Sequence, residues 1–191
     1  MKRDRAFLIF SPEASGNRML INLLVAAGCK GATGYKQPFH QDFDKEIPQA
    51  GDGDIVWLRS VPHAGEMPDI KLMVYLVRNK GYEPVVLMPI RAWWIHKQSH
   101  FLSGRAGSID DADNRIRNAW RFIMREVSTI LPRLEFYFIS YDEMCRNPEK
   151  AIPSILSMLG LNSVGFDFID GNSKYYERQS NGRQNERRQL V

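Results

Sequence analysis

One segment near the start of the chain specifies a strand, a loop and a helix in that order: Phe7-Leu8-Ile9-Phe10-Ser11-Pro12-Glu13-Ala14-Ser15-Gly16-Asn17-Arg18-Met19-Leu20. It begins with an apolar run, continues with small and polar residues, and then opens an amphipathic helical pattern. A loop that enters a helix leaves the first N–H groups of that helix without intrahelical partners, which suits an anion. The segment therefore predicts a phosphate-binding turn.

The individual residues of this loop fit that prediction. Ser15 and Gly16 allow a ligand to approach the main chain, Asn17 is expected to cap the helix, and Arg18 brings a cation beside the amides. The loop is not a Walker A motif, because Ser11 stands at its first glycine and Asn17 at its lysine. Taken alone, the pattern also fits a surface turn without a ligand.

Length and composition favour one globular domain. The chain has 191 residues, of which 43% are apolar and 25% are charged, enough for a complete core. No apolar run approaches the roughly 18 residues of a membrane span, and the first apolar stretch is too short for a signal sequence, so we expect a cytoplasmic protein. Cys29 and Cys145 lie in no metal or redox spacing and are expected to be reduced and packed.

The positive charge is concentrated at the C-terminus. Residues 171–191 contribute +3 of the net charge of +4. They contain no nucleic-acid-binding motif, so we expect no specific nucleic acid partner. We predict a single α/β domain over residues 1–170 and a basic tail over 171–191, which is either flexible or closes over an anionic ligand.

Strand and helix patterns alternate along the chain. After the first strand, the patterns predict helices at 17–27, 69–79, 92–102, 111–131 and 148–159, and strands at 54–60, 84–90 and 135–140. This order indicates an α/β three-layer sandwich with a central, mainly parallel sheet. The connection at 29–53 lacks a clear period and contains candidate site residues, Tyr35, Lys36, His40 and Asp42.

A second candidate anion site follows the strand at 84–90. Arg91 ends that strand, and Ser99 lies eight residues later, about two turns into the next helix. A guanidinium and a hydroxyl could converge there on one phosphate. A solvated or ion-paired arginine is the alternative.

Three segments together resemble the sulfotransferases that use 3′-phosphoadenosine-5′-phosphosulfate (PAPS). Residues 11–18 resemble the loop that holds the 5′-phosphosulfate, and Arg91 with Ser99 matches the pair that holds the 3′-phosphate. Residues 139–150 resemble the family's strand–YEDM–x–x–NP–helix stretch, in which Tyr141 stands at the tyrosine beside the adenine.

The resemblance implies a P-loop NTPase-like sulfotransferase fold, PAPS as co-substrate, no metal, and a small-molecule or carbohydrate acceptor with a hydroxyl group. The implied nucleotide-binding residues are Ser15, Gly16, Asn17, Arg18, Met19, Arg91, Ser99 and Tyr141. The loop departs from the family pattern, since its lysine is missing and Met19 replaces its tryptophan; Arg18 is our candidate for the missing charge. The closing R-K-G segment is also missing, and its candidate substitutes are Arg178, Arg183, Arg187 and Arg188.

For catalysis we predict His63 as the general base, ahead of His40 or Asp42. His63 follows the strand at 54–60, in a context that loosely resembles the family's K-T-H-L-P. An imidazole titrates near neutrality and can accept a proton, whereas Arg59 would steady charge.

Two other patterns and two other functions compete with this interpretation. His96 and His100 have a zinc-compatible spacing but no evident third ligand, so ordinary core or surface histidines are favoured, and Trp93 and Trp94 are predicted to pack. The alternative functions are an ATP-dependent P-loop kinase, disfavoured by the absent Lys-Ser/Thr pair, and a non-catalytic nucleotide-binding module.

Overall fold

The computed structural model describes residues 3–31, 47–62, 65–130 and 134–176. Its strands are β1 (Arg5–Ser11), β2 (Ile55–Ser60), β3 (Glu83–Ile90) and β4 (Glu135–Ser140). Its helices are α1 (Asn17–Ala26), α2 (Ile70–Asn79), α3 (Trp93–Leu102), α4 (Ile109–Ser128), α5 (Tyr141–Arg146) and α6 (Pro148–Met158). Residues 173–176 add one helical turn.

The four strands form one parallel sheet in the order β2-β1-β3-β4. At its carboxyl edge Ser11 of β1 lies opposite Ser60 of β2, and Ile90 of β3 lies opposite Ser140 of β4. The chain passes from β1 to β2 on one side and then to β3 on the other, so the direction of winding reverses between β1 and β3. The predicted α/β fold with a parallel sheet is confirmed.

Apolar cores on both faces of the sheet make the fold three-layered. Ala6, Leu8 and Phe10 of β1 belong to the core that α2 and α4 cover. Phe7 and Ile9 belong to the core that α1, α5 and α6 cover. Because successive side chains of a strand point to opposite faces, a strand covered on both sides is continuously apolar, as this one is. Full burial of a side chain such as Leu8 contributes about 1.5–3 kcal/mol.

Local signals set most helix boundaries. Asp69 caps α2 by accepting a hydrogen bond from the N–H of Leu72 at 2.9 Å, and Pro148 occupies the start of α6, as predicted. Asn147 is the N-cap residue of α6, but its side chain makes no capping bond, because its Nδ2 donates to Glu143 at 2.7 Å. The short helix α5 was not predicted.

Both cysteines are free. Burial raises the pKa of Cys29 to about 12 and, as the first of several causes, raises that of Cys145 to about 12. The two thiols are therefore protonated at neutral pH. Among the described helices, none is long and apolar enough to cross a bilayer.

Candidate active site

Side chains from several strand ends meet at the carboxyl edge of the sheet. Ser11 ends β1, Arg91 follows β3, and Tyr141 follows β4. Open α/β sheets bind ligands where the winding direction reverses, which in this sheet is the gap between β1 and β3. The loop at 12–16 and Arg91 border this gap.

The loop at 12–16 is a tight turn with two left-handed residues. Ala14 has φ 61° and Gly16 has φ 98°. A Cβ atom on Gly16 would lie 2.4 Å from Cδ2 of Tyr141, so both the backbone and the neighbouring ring require glycine there. Left-handed residues in a turn can bring successive N–H groups to one side, an arrangement that binds anions.

Three consecutive carbonyl groups of this loop point into the protein. The carbonyl of Pro12 accepts a hydrogen bond from Oγ of Ser15 at 2.8 Å. The carbonyl of Glu13 accepts from Nε2 of His96 at 2.6 Å and from Nε2 of His100 at 2.8 Å. The carbonyl of Ala14 accepts from Nη1 of Arg91 at 2.8 Å. In a trans peptide unit the N–H points opposite to the C=O. The N–H groups of residues 13–15 therefore point away from these donors.

The histidine pair supports the loop from beneath. A neutral imidazole donates to a carbonyl through its protonated nitrogen, so Nε2 of His96 and of His100 carries the hydrogen. Both side chains are buried, at 1% and 4% exposure, so His96 and His100 are core histidines, one of the two alternatives predicted. Burial lowers the pKa of His96 to about 3 and also lowers that of His100. In the described part of the chain, no group of three or more His, Cys, Asp and Glu side chains is arranged to hold a metal ion.

The first turn of α1 differs from the prediction in one respect. Asn17 was expected to cap the helix, which is wrong, because Gly16 is the N-cap residue and no side chain caps there. Asn17 is instead the first helical residue, and its Oδ1 accepts a hydrogen bond from Oγ of Ser11. The first intrahelical bond runs from the N–H of Leu20 to the carbonyl of Gly16. The N–H groups of residues 16–19 consequently have no partner within α1.

Arg91 joins the loop to the chain after α6. Its Nε donates to Oδ1 of Asn172 at 2.8 Å, Nη1 to Ala14, and Nη2 to the carbonyl of Gly171 at 3.1 Å. The guanidinium carbon also lies 5.2 Å from the ring centroids of both Tyr141 and Tyr175. Each guanidinium nitrogen of Arg91 thus has an oxygen partner from this chain.

Tyr141 is enclosed by the same group of residues. Its side chain is 5% exposed, its hydroxyl accepts a hydrogen bond from the N–H of Gly171 at 3.1 Å, and its ring lies 6.2 Å from that of Phe168. Burial raises the pKa of Tyr141 to about 12. An adenine that stacked on this ring would have to displace part of the segment at 168–171.

Among solved structures, the chain is similar to three sulfotransferases. The sulfotransferase domain of the Synechococcus PCC 7002 olefin synthase is 13% identical, with a TM-score of 0.49 over 86% of this chain and 74% of its own. Mouse sulfotransferase SULT7A1, complexed with PAP, is 15% identical, with a TM-score of 0.47 over 86% and 62%. The sulfotransferase domain of the curacin biosynthetic pathway is 11% identical, with a TM-score of 0.43 over 87% and 76%. No family model and no curated protein match the chain.

Ser99, which was predicted to bind the 3′-phosphate together with Arg91, is buried one turn beyond His96 on α3. It borders a cavity of about 300 Å³ whose other lining residues are Leu102, Ser103, Arg105, Lys174 and Tyr175. Tyr175 lines this cavity and also contacts Arg91, whose guanidinium lies against the tyrosine ring. Ser99 and Tyr175 line the cavity, whereas Arg91 contacts the Tyr175 ring and is not among the described lining residues. The convergence of Arg91 and Ser99 on one phosphate stays a prediction.

The remaining predicted site residues fall into two groups. In the first turn of α1, Arg18 is exposed and Met19 packs against the core beneath α1. Arg59 is half-buried near the end of β2, 5.7 Å from the Trp57 ring centroid. The residues outside the described part of the chain are His63, the predicted base, Tyr35, Lys36, His40 and Asp42 of the long connection, and Arg178, Arg183, Arg187 and Arg188 of the tail.

Sequence reasoning missed the residues that join the site together. Asp142 accepts hydrogen bonds from the N–H of Ala92 and from Nδ2 of Asn172, the latter at 2.7 Å. Asn172 is fully buried. Nothing in the pattern around Asn172 distinguishes it from a loop residue, whereas Asp142 lies within the stretch that resembled the sulfotransferase motif.

Proposed function

We propose that this chain is a PAPS-dependent sulfotransferase that moves a sulfuryl group to an acceptor hydroxyl. One observation supports it above the others: three consecutive loop carbonyls are held inward at the gap between β1 and β3. The opposed N–H groups and the uncapped start of α1 then form a cradle for a phosphate-type anion. The fit of this cradle to an anion comes from its donors and does not depend on the sequence motif.

In this proposal the loop and the start of α1 hold the 5′-phosphosulfate end of the nucleotide. The N–H groups of Ser15, Gly16 and Asn17 donate to phosphate oxygens, and Arg18 supplies positive charge beside them. Met19 packs beneath this turn. Arg91, Ser99 and Tyr141 border the nucleoside end.

The reaction forms a bond between the acceptor oxygen and sulfur and breaks the bond between sulfur and the bridging oxygen of the phosphosulfate. The acceptor proton passes to a base, for which His63 is our candidate. The leaving product is adenosine 3′,5′-bisphosphate (PAP). The chain has two tasks in this step: it orients the reactants, and it stabilises the negative charge that develops on the leaving phosphate.

The acceptor we propose is a small molecule or a carbohydrate that presents a hydroxyl group. A carboxyl edge shaped by loops binds small ligands in many α/β proteins. The long connection after α1 and the turn after α3 are the segments expected to contact the acceptor.

Two measurements on the full chain test this function. In a thermal-shift assay, PAP should raise the melting temperature more than ATP with Mg²⁺ or an oligonucleotide does; saturating ligand at about 100 times its Kd adds roughly 2.7 kcal/mol. Transfer from labelled PAPS should then be measured against sugar, phenolic and lipid alcohols. Stronger stabilisation by ATP with Mg²⁺ would favour a kinase, and PAP binding without transfer to any acceptor would favour a non-catalytic module.

A further inference from the structure

The segment at 168–172, which we call the strap, contacts two side chains that border the gap between β1 and β3. Its Gly171 carbonyl accepts a hydrogen bond from Nη2 of Arg91 at 3.1 Å, and Oδ1 of Asn172 accepts from Nε of Arg91 at 2.8 Å. The N–H of Gly171 donates to the hydroxyl of Tyr141 at 3.1 Å. The strap therefore holds both the guanidinium and the phenol.

The strap binds Arg91 in the way that an anionic ligand would. Nε and Nη2 are adjacent N–H donors on one edge of the planar guanidinium, and a phosphate or carboxylate binds such an edge through two oxygens. Here the two oxygens belong to Asn172 and Gly171. The third nitrogen, Nη1, donates to the carbonyl of Ala14. An anion therefore reaches the Nε–Nη2 edge only after the strap has left it.

Hydrogen bonds, more than apolar burial, hold the strap in place. The stretch at 161–172 contains neither helix nor strand. The side chain of Ile169 is 81% exposed, and that of Phe168 is only partly buried. Segments that bury little apolar surface open at a lower free-energy cost than the core does. Opening of the strap therefore depends mainly on its polar contacts.

Asn172 makes the best-buried of these contacts. Its side chain is fully buried, and besides accepting from Arg91 it donates from Nδ2 to Asp142 at 2.7 Å. Asp142 is fixed in turn by the N–H of Ala92, the residue that follows Arg91. Both the oxygen and the nitrogen of the Asn172 amide thus tie the strap to the end of β3.

Gly171 fits too tightly in the closed strap for any side chain. A Cβ atom at this position would lie 2.7 Å from the hydroxyl oxygen of Tyr141. The Tyr141 side chain is 5% exposed, so its ring has little room to move aside in a close-packed interior. A substitution at Gly171 therefore weakens the closed strap without removing a hydrogen-bonding side chain.

We propose that the strap is autoinhibitory: Asn172 and Gly171 act as an internal ligand of Arg91, and the strap opens before a phosphate-bearing ligand binds there. Identifying that ligand as PAP or PAPS rests on the proposed function. Strap and ligand compete for one donor edge, so the apparent affinity for the ligand is reduced to the fraction of molecules with an open strap. The strap differs from a lid that closes over its ligand, because here the closed strap and the ligand exclude each other.

Asn172→Ala tests this competition in a calorimetric titration of the full chain with PAP. Loss of two hydrogen bonds from the closed strap should raise the affinity for PAP by about 5-fold to 100-fold. The same variant should unfold at lower urea concentration, so affinity and stability should change in opposite directions. A residue that only supports the fold would lower both. Asn162→Ala, at an exposed asparagine after α6, is the matched control and should change neither.

Gly171→Ala weakens the strap by a second route and decides the question if Asn172→Ala does not fold. It should also tighten PAP binding, because its Cβ meets the Tyr141 hydroxyl only while the strap is closed. Gly165→Ala, where an added Cβ meets nothing within 4 Å, should keep the wild-type affinity. Wild-type or weaker PAP affinity in every strap variant that folds would overturn the proposal.

Hydrogen exchange follows the strap itself. In the closed strap the N–H of Gly171 is bonded to Tyr141, and the N–H of Asn172 is bonded to Oδ1 of Asp170 at 2.6 Å. Saturating PAP should speed the exchange of these two amides, because bound ligand keeps the strap open. Slower exchange in the presence of PAP would identify a lid that closes over the nucleotide, and would overturn autoinhibition.

Inorganic phosphate separates this proposal from the proposed function. If neither the wild type nor Asn172→Ala binds PAP, the sulfotransferase proposal fails, and phosphate then tests the strap alone. Phosphate should bind Asn172→Ala more tightly than Asn162→Ala; equal affinities, or no binding to either, would overturn the autoinhibitory role. PAP binding by the wild type that no strap variant tightens would remove the strap and leave the proposed function in place.

Discussion

The Nε2 atom of His96 lies 2.6 Å from the carbonyl oxygen of Glu13. The buried His96 side chain of α3 thereby fixes the peptide unit between Glu13 and Ala14. The N–H of that unit, on Ala14, points away from His96, to the opposite side of the loop. The fold keeps this imidazole neutral, because burial penalises the charged form more than the hydrogen bond to Glu13 favours it. The geometry of the loop is therefore coupled to the protonation state of a histidine.

Stability should fall when the pH is lowered from about 7.5 to about 5.5. The pKa of His96 is lowered from 6.5 to about 3 in the folded chain, so on acidification through 6.5 the unfolded chain gains a proton that the folded chain excludes. The unfolding free energy should then decrease by up to about 1.4 kcal/mol per pH unit for each such histidine, and the pKa of His100 is lowered in the same direction. Urea titrations across this range measure the slope.

His96→Asn is the comparison variant for the dependence of the unfolding free energy on pH. Asparagine keeps an N–H donor for the carbonyl and does not titrate, so the variant should lose one histidine's share of the pH dependence. A wild-type unfolding free energy that stays constant over this range would contradict the assignment of neutral, buried histidines.

Gly16→Ala should destabilise the chain more than Gly28→Ala does. The two glycines have nearly equal φ values, 98° and 99°, so each substitution costs about 1–2 kcal/mol for the left-handed backbone. Only at Gly16 does the added Cβ collide with Tyr141, at 2.4 Å, whereas it meets nothing within 4 Å at Gly28. The difference between their unfolding free energies isolates the ring contact, and equal values would mean that the Tyr141 ring moves aside freely.

The architecture could be predicted from the sequence because it depends on local periodicity. The apolar runs that form β1 and β3, and the capping residue Asp69, act within a few positions along the chain. The loop was identified for the same reason, since its strand and helix lie on either side of it.

The contacts that complete the site could not be predicted in this way. Asn172 meets Arg91 across 81 positions, and His100 meets Glu13 across 87. Such pairs follow from the order of strands in the sheet, which periodicity does not encode. The capping role predicted for Asn17 was wrong for a related reason: Ser11, at the end of the preceding strand, engages its side chain.

Arg18→Ala should reduce turnover more than nucleotide affinity. Charge on the bridging oxygen develops mainly in the transition state, so a cation beside it raises kcat more than it tightens ground-state binding. We expect a loss of at least about 100-fold in kcat, as for removal of other groups that stabilise developing charge, with a much smaller change in Kd for PAP. Arg18→Lys should recover part of the rate. Unchanged kcat in Arg18→Ala would assign this charge to another cation, such as Lys36.

His63→Ala should lower turnover by about 10²–10⁴-fold, the usual effect of removing a general base. PAP affinity should stay at the wild-type value, since the base contacts the acceptor. His40→Ala is the matched control. Wild-type turnover in His63→Ala would disqualify it, and a large loss in His40→Ala would transfer the role to that residue or to Asp42.

The buried Asn172 side chain should be the main contact that holds the segment at 171–176 against the carboxyl edge of the sheet. Its Oδ1 accepts from Nε of Arg91 at 2.8 Å and its Nδ2 donates to Asp142 at 2.7 Å. Asn172→Ala removes both bonds and leaves buried partners unsatisfied, so the unfolding free energy should drop by about 1–3 kcal/mol. Urea titration measures this loss.

Exchanging the side chains of Asn172 and Asp142 tests their hydrogen bond more directly than deleting one of them. Asn172→Asp keeps an acceptor for Arg91 but turns a carboxylate towards Asp142, and like charges at hydrogen-bond distance repel each other. Adding Asp142→Asn restores a donor between the two positions, so the double variant should be more stable than Asn172→Asp alone. A double variant with purely additive losses would show that Asn172 and Asp142 are not coupled. Recovery in the double variant would instead show that positions 172 and 142 are coupled, and that an amide and a carboxylate can exchange places in this hydrogen bond.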